Sequence, residues 1–295
     1  MTEFIPAEKG VPIRQPSTAN LMLDSYDRSA GATAWNFTIN RNNSILNGFF
    51  TRIGTTEVVL EWCEYNISEA FSNYEITLTK GAGTHTLQLT DGYYTVKEAL
   101  DAIVAAANDA GAFGPNNFQT YSQYGRVGIE TVDGNPFYIE GAPNSLVLAN
   151  QLGFENGVAS ALPLQECVCP DLRPWRYIDF VSSQLTYNQD LKDASTAQST
   201  RDVLCRWYFD WDVPTELDAD SQPILMGYKP FKARRIFNPP KQIKWTPNQP
   251  IGQLSFEVWG YNYLNPQGVR LDTIYTGTAN TPESEWLMTL QVSEV

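Results

Sequence analysis

Charge is scarce in this chain, and positive charge most of all. Only 18% of the 295 residues are charged, and 20 Lys and Arg face 33 Asp and Glu, a formal net charge of -13. A chain of that sign repels phosphate backbones globally, so direct nucleic-acid binding is not expected. Histidine is reduced to His85, so any Ser-His-Asp or Cys-His mechanism must run through one residue. Four cysteines, Cys63, Cys167, Cys169 and Cys205, are too sparse for the disulfide framework of a small secreted domain. Cys167 and Cys169 form C-x-C, not the C-x-x-C of a zinc knuckle, and no second pair follows. Free thiols from a reducing compartment are the expected state, with a metal or redox role as the alternative. No apolar run reaches the ~18 residues of a membrane-spanning helix. The start, MTEFIPAEKGVPIRQP, has no basic segment followed by an apolar core, so no secretory leader is expected.

Aromatic residues and turn formers are plentiful instead. Aromatics make up 13%, with 20 Gly and 18 Pro, which fits an all-β protein with many connections. Residues 1–33, punctuated by Pro6, Pro12 and Pro16, read as an extended arm. In AWNFTIN, Trp35, Phe37 and Ile39 alternate with polar residues, the period of a half-buried strand. TEVVLEWCEYNIS continues the pattern with Val58, Leu60, Trp62 and Asn66 on one face. Later segments of the same character, WRYIDFVSSQLTY, DVLCRWYFDWDV, FKARRIF, GQLSFEVWGYNY and SEWLMTLQVSE, are separated by Pro, Gly, Asn or Asp clusters. Strands in both terminal parts without βαβ alternation predict an antiparallel sandwich or barrel over 34–74 and 158–295.

Residues 75–157 have a different pattern. YEITLTKGAGTHTLQL predicts a hairpin turning at Gly81 and Gly83. DGYYTVKEALDAIVAAANDAG predicts an amphipathic helix. Thr95 and Glu98 form a capping box, Val96, Leu100, Ile103, Val104 and Ala107 share the apolar face, and Gly111 supplies the stop. YGRVGIETV and NPFYIEG read as a second hairpin about Asp133-Gly134, and SLVLANQLGF as a short helix ending at Gly153. A unit of roughly 80 residues can hold its own small core. Its place between all-β segments predicts an α/β domain inserted in a sandwich loop, where insertions leave core hydrogen bonds intact.

Chemistry-bearing candidates are few. His85 lies beside the turn KGAGTHT and is expected in solvent; that turn also lacks P-loop spacing. In RWYFDWDV, Asp210 and Asp212 would share one strand face, opposite Trp207, Phe209 and Trp211. Two carboxyls roughly 5–10 Å apart beside aromatics could serve a glycosidase. Alternation alone already places the aromatics in a core and the aspartates in water. Glu216, Asp218 and Asp220 in ELDADSQ could suit calcium but lack the glycine and distal glutamate of an EF-hand loop. YKPFKARRIFNPPKQIK concentrates Lys229, Lys232, Arg234, Arg235, Lys241 and Lys244. These six are candidate subunit-interface residues; a solvated strand and loop is the alternative, and in an acidic chain a protein partner is favoured over nucleic acid. No catalytic, cofactor or metal site is assigned.

Taken in order, AWNFTIN, EVVLEWCEYNIS, YEITL, GYYTVKEALDAIVAAAN, GRVGIE, FYIEG and NQLGF resemble the penton, or minor capsid, proteins of virophages and polinton-like viruses. The matching positions include Tyr94, Thr95, Leu100, Ile103, Asn108 and Leu152-Gly153-Phe154. The resemblance implies a single jelly roll with the insert standing outward as a tower. It implies a structural virion protein, not an enzyme, forming homopentamers at icosahedral vertices among major capsid proteins. It also allows a host-surface contact through the insert. Beside the penton reading, a different viral surface or attachment protein with the same insert and a carbohydrate-binding or carbohydrate-active sandwich stay open.

Overall fold

The structure is a computed structural model that describes residues 18–40, 52–109, 111–140, 143–154, 161–186, 203–210, 214–217, 223–240, 242–244, 252–262, 265–276 and 283–293. Alternation of apolar and polar residues builds two antiparallel five-stranded sheets. The strands in chain order are β1 (Thr18–Asp24), β2 (Asn36–Asn40) and β3 (Arg52–Trp62). Then come β4 (Glu75–Lys80), β5 (Gly83–Gln88), β6 (Phe118–Gln123), β7 (Arg126–Thr131), β8 (Phe137–Ile139) and β9 (Leu164–Glu166). The last part holds β10 (Tyr177–Val181), β11 (Val203–Tyr208), β12 (Pro214–Leu217), β13 (Pro223–Leu225), β14 (Phe231–Ile236), β15 (Gln242–Lys244), β16 (Gln253–Tyr261), β17 (Val269–Arg270) and β18 (Glu285–Ser293).

One sheet has the order β1-β18-β3-β14, with β15 beside the other end of β3. The second has the order β11-β10-β16-β17, with β2 also on β16. Eight of these strands pair as one long hairpin rolled up: first with last (β1 and β18), second with next-to-last (β2 and β16), third with sixth (β3 and β14), fourth with fifth (β10 and β11). That pairing defines a jelly roll. The inward residues of both sheets, among them Ile53, Val58, Leu60, Trp62, Phe180, Trp207, Phe256 and Trp286, form one continuous core.

The arm reading needs correction at Thr18–Asp24. This segment is an edge strand paired residue for residue with β18, and Leu23 is in the core. Residues 1–17 lie outside the described ones. Asn66 also departs from expectation. It lies beyond the end of β3, and its side chain donates to the Tyr94 carbonyl and accepts from the Tyr94 N–H at 2.8 and 2.9 Å. A buried amide must find such partners, and here it ties the exit of β3 to the start of the helix.

Between β3 and β10 a second core gathers Ile67, Ile76, Leu78, Leu100, Ile103, Phe118, Ile129, Phe137, Leu148 and Leu152. Helix α1 (Val96–Ala107) carries the expected capping box, and it buries Ala99, Leu100, Ile103 and Ala107. Val96 and Val104 pack at the margin of that core. The helix stops at Asn108, not at Gly111. The Asn108 side chain accepts from the N–H groups of Asn117 and Phe118 and donates to the Phe118 carbonyl, all at 2.8–2.9 Å. Helix α2 (Pro143–Gln151) is followed by Gly153 at φ 74. There a Cβ would lie 2.0 Å from the Val168 carbonyl oxygen, so only glycine fits.

The second predicted hairpin is replaced by another. β7 pairs with β6 across Tyr124-Gly125, both at positive φ, while β8 crosses to β4 in a separate sheet, β5-β4-β8. Two successive positive-φ residues make the tight turn whose twist matches the flanking strands, and Tyr124 disguises it. β9 lies beyond the expected boundary at 157, yet it pairs with β7 and so sits with this second core. Tyr228, from the turn ahead of β14, and Leu172, ahead of β10, also belong to this second core, where the Leu172 N–H donates to the Tyr228 hydroxyl at 3.2 Å.

Leu100 is fully buried on the inner face of α1. Leu100→Asp would leave a charge without a partner there, a cost of several kcal/mol, of order 3 or more. We expect the second core to melt separately, while the near-ultraviolet dichroism of the tryptophan-rich roll persists. One cooperative transition carrying both signals away would show that the two cores do not fold independently.

Candidate functional site

The basic stretch lies on the exposed edge of the first sheet. On β14, Phe231 points into the core and Lys232 and Arg234 point out. Their partners come from β3, which runs antiparallel beside it. Lys232 pairs with Glu61 directly opposite, and Arg234 forks onto Glu57 at 2.7 and 2.8 Å. That fork holds the Glu57 carboxyl below the usual carboxylate range. Arg235 binds Asp210, and its guanidinium lies 4.9 Å from the Trp207 ring centre. Lys229 is half-buried just ahead of β14, Lys244 ends β15, and Lys241 lies outside the described residues. Three of the six candidates are therefore neutralised within the chain. The partner positions Glu57 and Glu61 are far away in sequence, and only strand pairing reveals them.

The paired-carboxylate arrangement dissolves in the same way. Trp207 is 1% exposed and Phe209 is equally buried, both inside the roll. Asp210 is held by Arg235; Trp211 and Asp212 lie outside the described residues. Glu216 is on β12, and Asp218 and Asp220 also lie outside. His85 is on β5 and half-buried, its ring 4.7 Å from Phe113 edge to face, so the expectation of a solvated histidine is corrected. Among the described residues no group of three His, Cys, Asp or Glu could hold a metal ion. No helix among them is long and apolar enough to cross a membrane.

Two surface features were not anticipated. On the outer face of the first sheet, Met22, Leu287 and Ile236 are exposed, and Val59 lies directly opposite Leu287. On the outer face of the second, Tyr208, Tyr177 and Tyr261 stand in one cross-strand row. Tyr177 stacks on Tyr261 at 4.5 Å, and the Arg206 guanidinium covers Tyr177 at 3.9 Å. Arg206 also forks onto buried Asp179 at 2.7 and 2.9 Å. At the end of this row opens a cleft of about 470 Å³ lined by Asp171, Arg173, Arg176, Tyr177, Tyr208 and Asp210. The tyrosines occur singly in three distant segments, so nothing local in the sequence joins them in a row.

Glu64 is the most perturbed carboxyl among the described residues, at the point where β3 leaves for the second core. It is 4% exposed and accepts from the Ser284 N–H at 3.2 Å. Burial pushes its carboxyl from 4.5 up to about 7, and hydrogen bonds with Ser284 oppose that rise. Between these two values the native state binds more protons than the unfolded chain. Stability from this group is therefore complete below about pH 4.5, falls as pH rises to about 7, and is level above that. The full difference is up to about 3 kcal/mol. Glu64→Gln is expected to raise stability at about pH 8 and to flatten the slope between about pH 5 and 7 in denaturant melts. A variant with the wild-type slope would assign the pH dependence to other groups.

No protein-family model matches the chain, and no curated protein matches it. Among solved structures it is similar to a selenomethionine-labelled mavirus penton protein, at 13% identity and a TM-score of 0.49, over 96% of this chain and 100% of that one. It is also similar to a chain of the Sputnik virophage structure, at 9% identity and a TM-score of 0.42, over 94% of this chain and 97% of that one.

Proposed function

We propose that this chain is a structural virion protein of the penton kind, a jelly roll that assembles as a homopentamer at capsid vertices beside major capsid proteins. The observation that carries the reading is the rolled pairing of eight strands, with a segment between the third and fourth that builds a second core. Such an interruption leaves both sheets and their pairing intact. It gives a capsid subunit a body that packs among neighbours and an inserted domain free to face outward and to meet a host surface. The residue order that resembles the penton family runs through both parts. The carbohydrate reading loses its platform, because Trp207 faces the core.

Assembly of identical chains at -13 requires that like charge be kept from the contact. Lys232, Arg234 and Arg235 serve this by neutralising Glu61, Glu57 and Asp210 at one sheet edge, where Ile236 is also exposed.

Native mass measurement and negative-stain imaging test the proposal. A closed ring of five is expected, because fivefold contacts are head-to-tail and close on themselves. Changing Arg234 and Arg235 together to Glu sets carboxylates beside Glu57 and Asp210, and is expected to weaken the ring at least tenfold in concentration. The monomer should stay folded with its melting transition little changed, since exposed pairs contribute little each. A wild-type chain that stays monomeric at high concentration and is missing from particle vertices would defeat the penton reading.

A further inference from the structure

The outer face of the first sheet carries apolar side chains where the fold asks for none. With Trp286 and Met288 turned inward, Leu287 between them faces out and is 40% exposed. It lies directly opposite Val59 on β3. Met22 on β1 pairs with Thr289, two residues along β18 on the same face, so it is a diagonal neighbour of Leu287. Ile236 on β14 pairs with Glu57 and is in the same way diagonal to Val59. Strand register therefore joins Met22, Leu287, Val59 and Ile236 into one stripe across the sheet from β1 to β14, and its two ends are 76% and 62% exposed. A sheet face turned to water normally shows polar residues at these positions, and a contiguous exposed apolar run marks an interaction site.

We propose that this stripe is covered by a second copy of the chain and is the face by which neighbouring subunits meet. This rests on the assembly reading above. A chain of net charge -13 repels its own copies wherever acid dominates the surface. On this face, among the described residues, the outward charges balance: Asp24, Glu57 and Glu61 stand against Arg52, Lys232 and Arg234. Two of those acids are bound across the strands by two of the bases, and Glu285, at the end of the face, is buried against Arg28. The surplus of acid therefore lies elsewhere on the chain, and two copies approach through this face without net repulsion. Its size fits the same occupant. Four strands about 4.8 Å apart, with nine residues on β18 at about 3.4 Å each, make a surface of roughly 600 Å². That is most of the about 800 Å² that each partner gives to a stable protein interface. In a closed ring the stripe meets a different surface of the next copy, not its own twin.

The test uses the full chain with methyl-labelled methionine. Met22 is the exposed reporter on the stripe, assigned by its loss in Met22→Leu, and buried Met288 on β18 is the internal reference. As concentration rises through ring formation, the Met22 signal is expected to shift and the Met288 signal to stay. Leu287→Lys is expected to raise the concentration needed for assembly at least tenfold and to hold the Met22 signal at its monomer position. Val132→Lys puts the same charge on an exposed apolar position just after β7 and is expected to assemble as the wild type does. Melting temperatures check that all variants are folded. Rings that form without a Met22 shift and tolerate Leu287→Lys overturn this face and leave the assembly reading standing. A dimer that shifts Met22 and is lost in Leu287→Lys supports the face and defeats the ring of five. A Met22 signal that does not move at any concentration overturns the face whatever the oligomeric state. Leu287→Lys rings that assemble normally but fail to enter particles also overturn it, since another capsid protein would then cover the stripe.

Discussion

Trp286 is the contact on which the two-layer body depends. It sits on β18 in the middle of the first sheet, and its indole reaches Phe180, Phe37 and Phe256 of the second sheet at 5.1, 5.4 and 5.8 Å. Its ring nitrogen donates to the Ala34 carbonyl at 2.7 Å, and its backbone N–H donates to the Ser25 hydroxyl at 2.9 Å. One side chain therefore binds β2, β10 and β16 to β18 and orients the turn after β1. Tilted and edge-on aromatic pairs add to the area that the rings remove from water. Because period-two alternation sets which face each strand presents, placing Trp286 inward commits Leu287 to the outside. A slip of one residue would reverse the whole strand.

A body closed in this way can carry a large interruption. The chain leaves at the end of β3, builds a second core around α1 and two small sheets, and returns at β10. The exit from β3 is polar and specific: Glu64 is buried beside Ser284 and Asn66 clasps Tyr94. Buried polar groups of this kind must be satisfied, so they fix the path of the chain out of the roll while apolar packing stabilises each core.

The surface charges are shaped by the same pairing. Lys232, Arg234 and Arg235 form the most basic stretch of the sequence, yet they face Glu61, Glu57 and Asp210. Arg206 is held by Asp179 and covered aromatic rings. Arg176, which lines the cleft and has no side-chain partner among the described residues, lies in a segment that showed no charge cluster. Local charge density is thus a poor guide to free charge in a sheet protein, because cross-strand neighbours can be more than a hundred residues apart in sequence.

Local pattern alone determined the mainly antiparallel β character, the inward sets Trp35-Phe37-Ile39 and Val58-Leu60-Trp62, and the capped helix Val96–Ala107. Each rests on neighbours within four residues: alternation, a capping box, an apolar stripe. The tertiary structure alone decided which strands pair. It placed Thr18–Asp24 in the first sheet, moved the insert's hairpin to Tyr124-Gly125, and brought Leu164–Glu166 to β7. It also decided which charges cancel and which tyrosines share a row. Those outcomes depend on strand register between remote segments, and a period of two states only which face a residue takes, not the strand it will lie against.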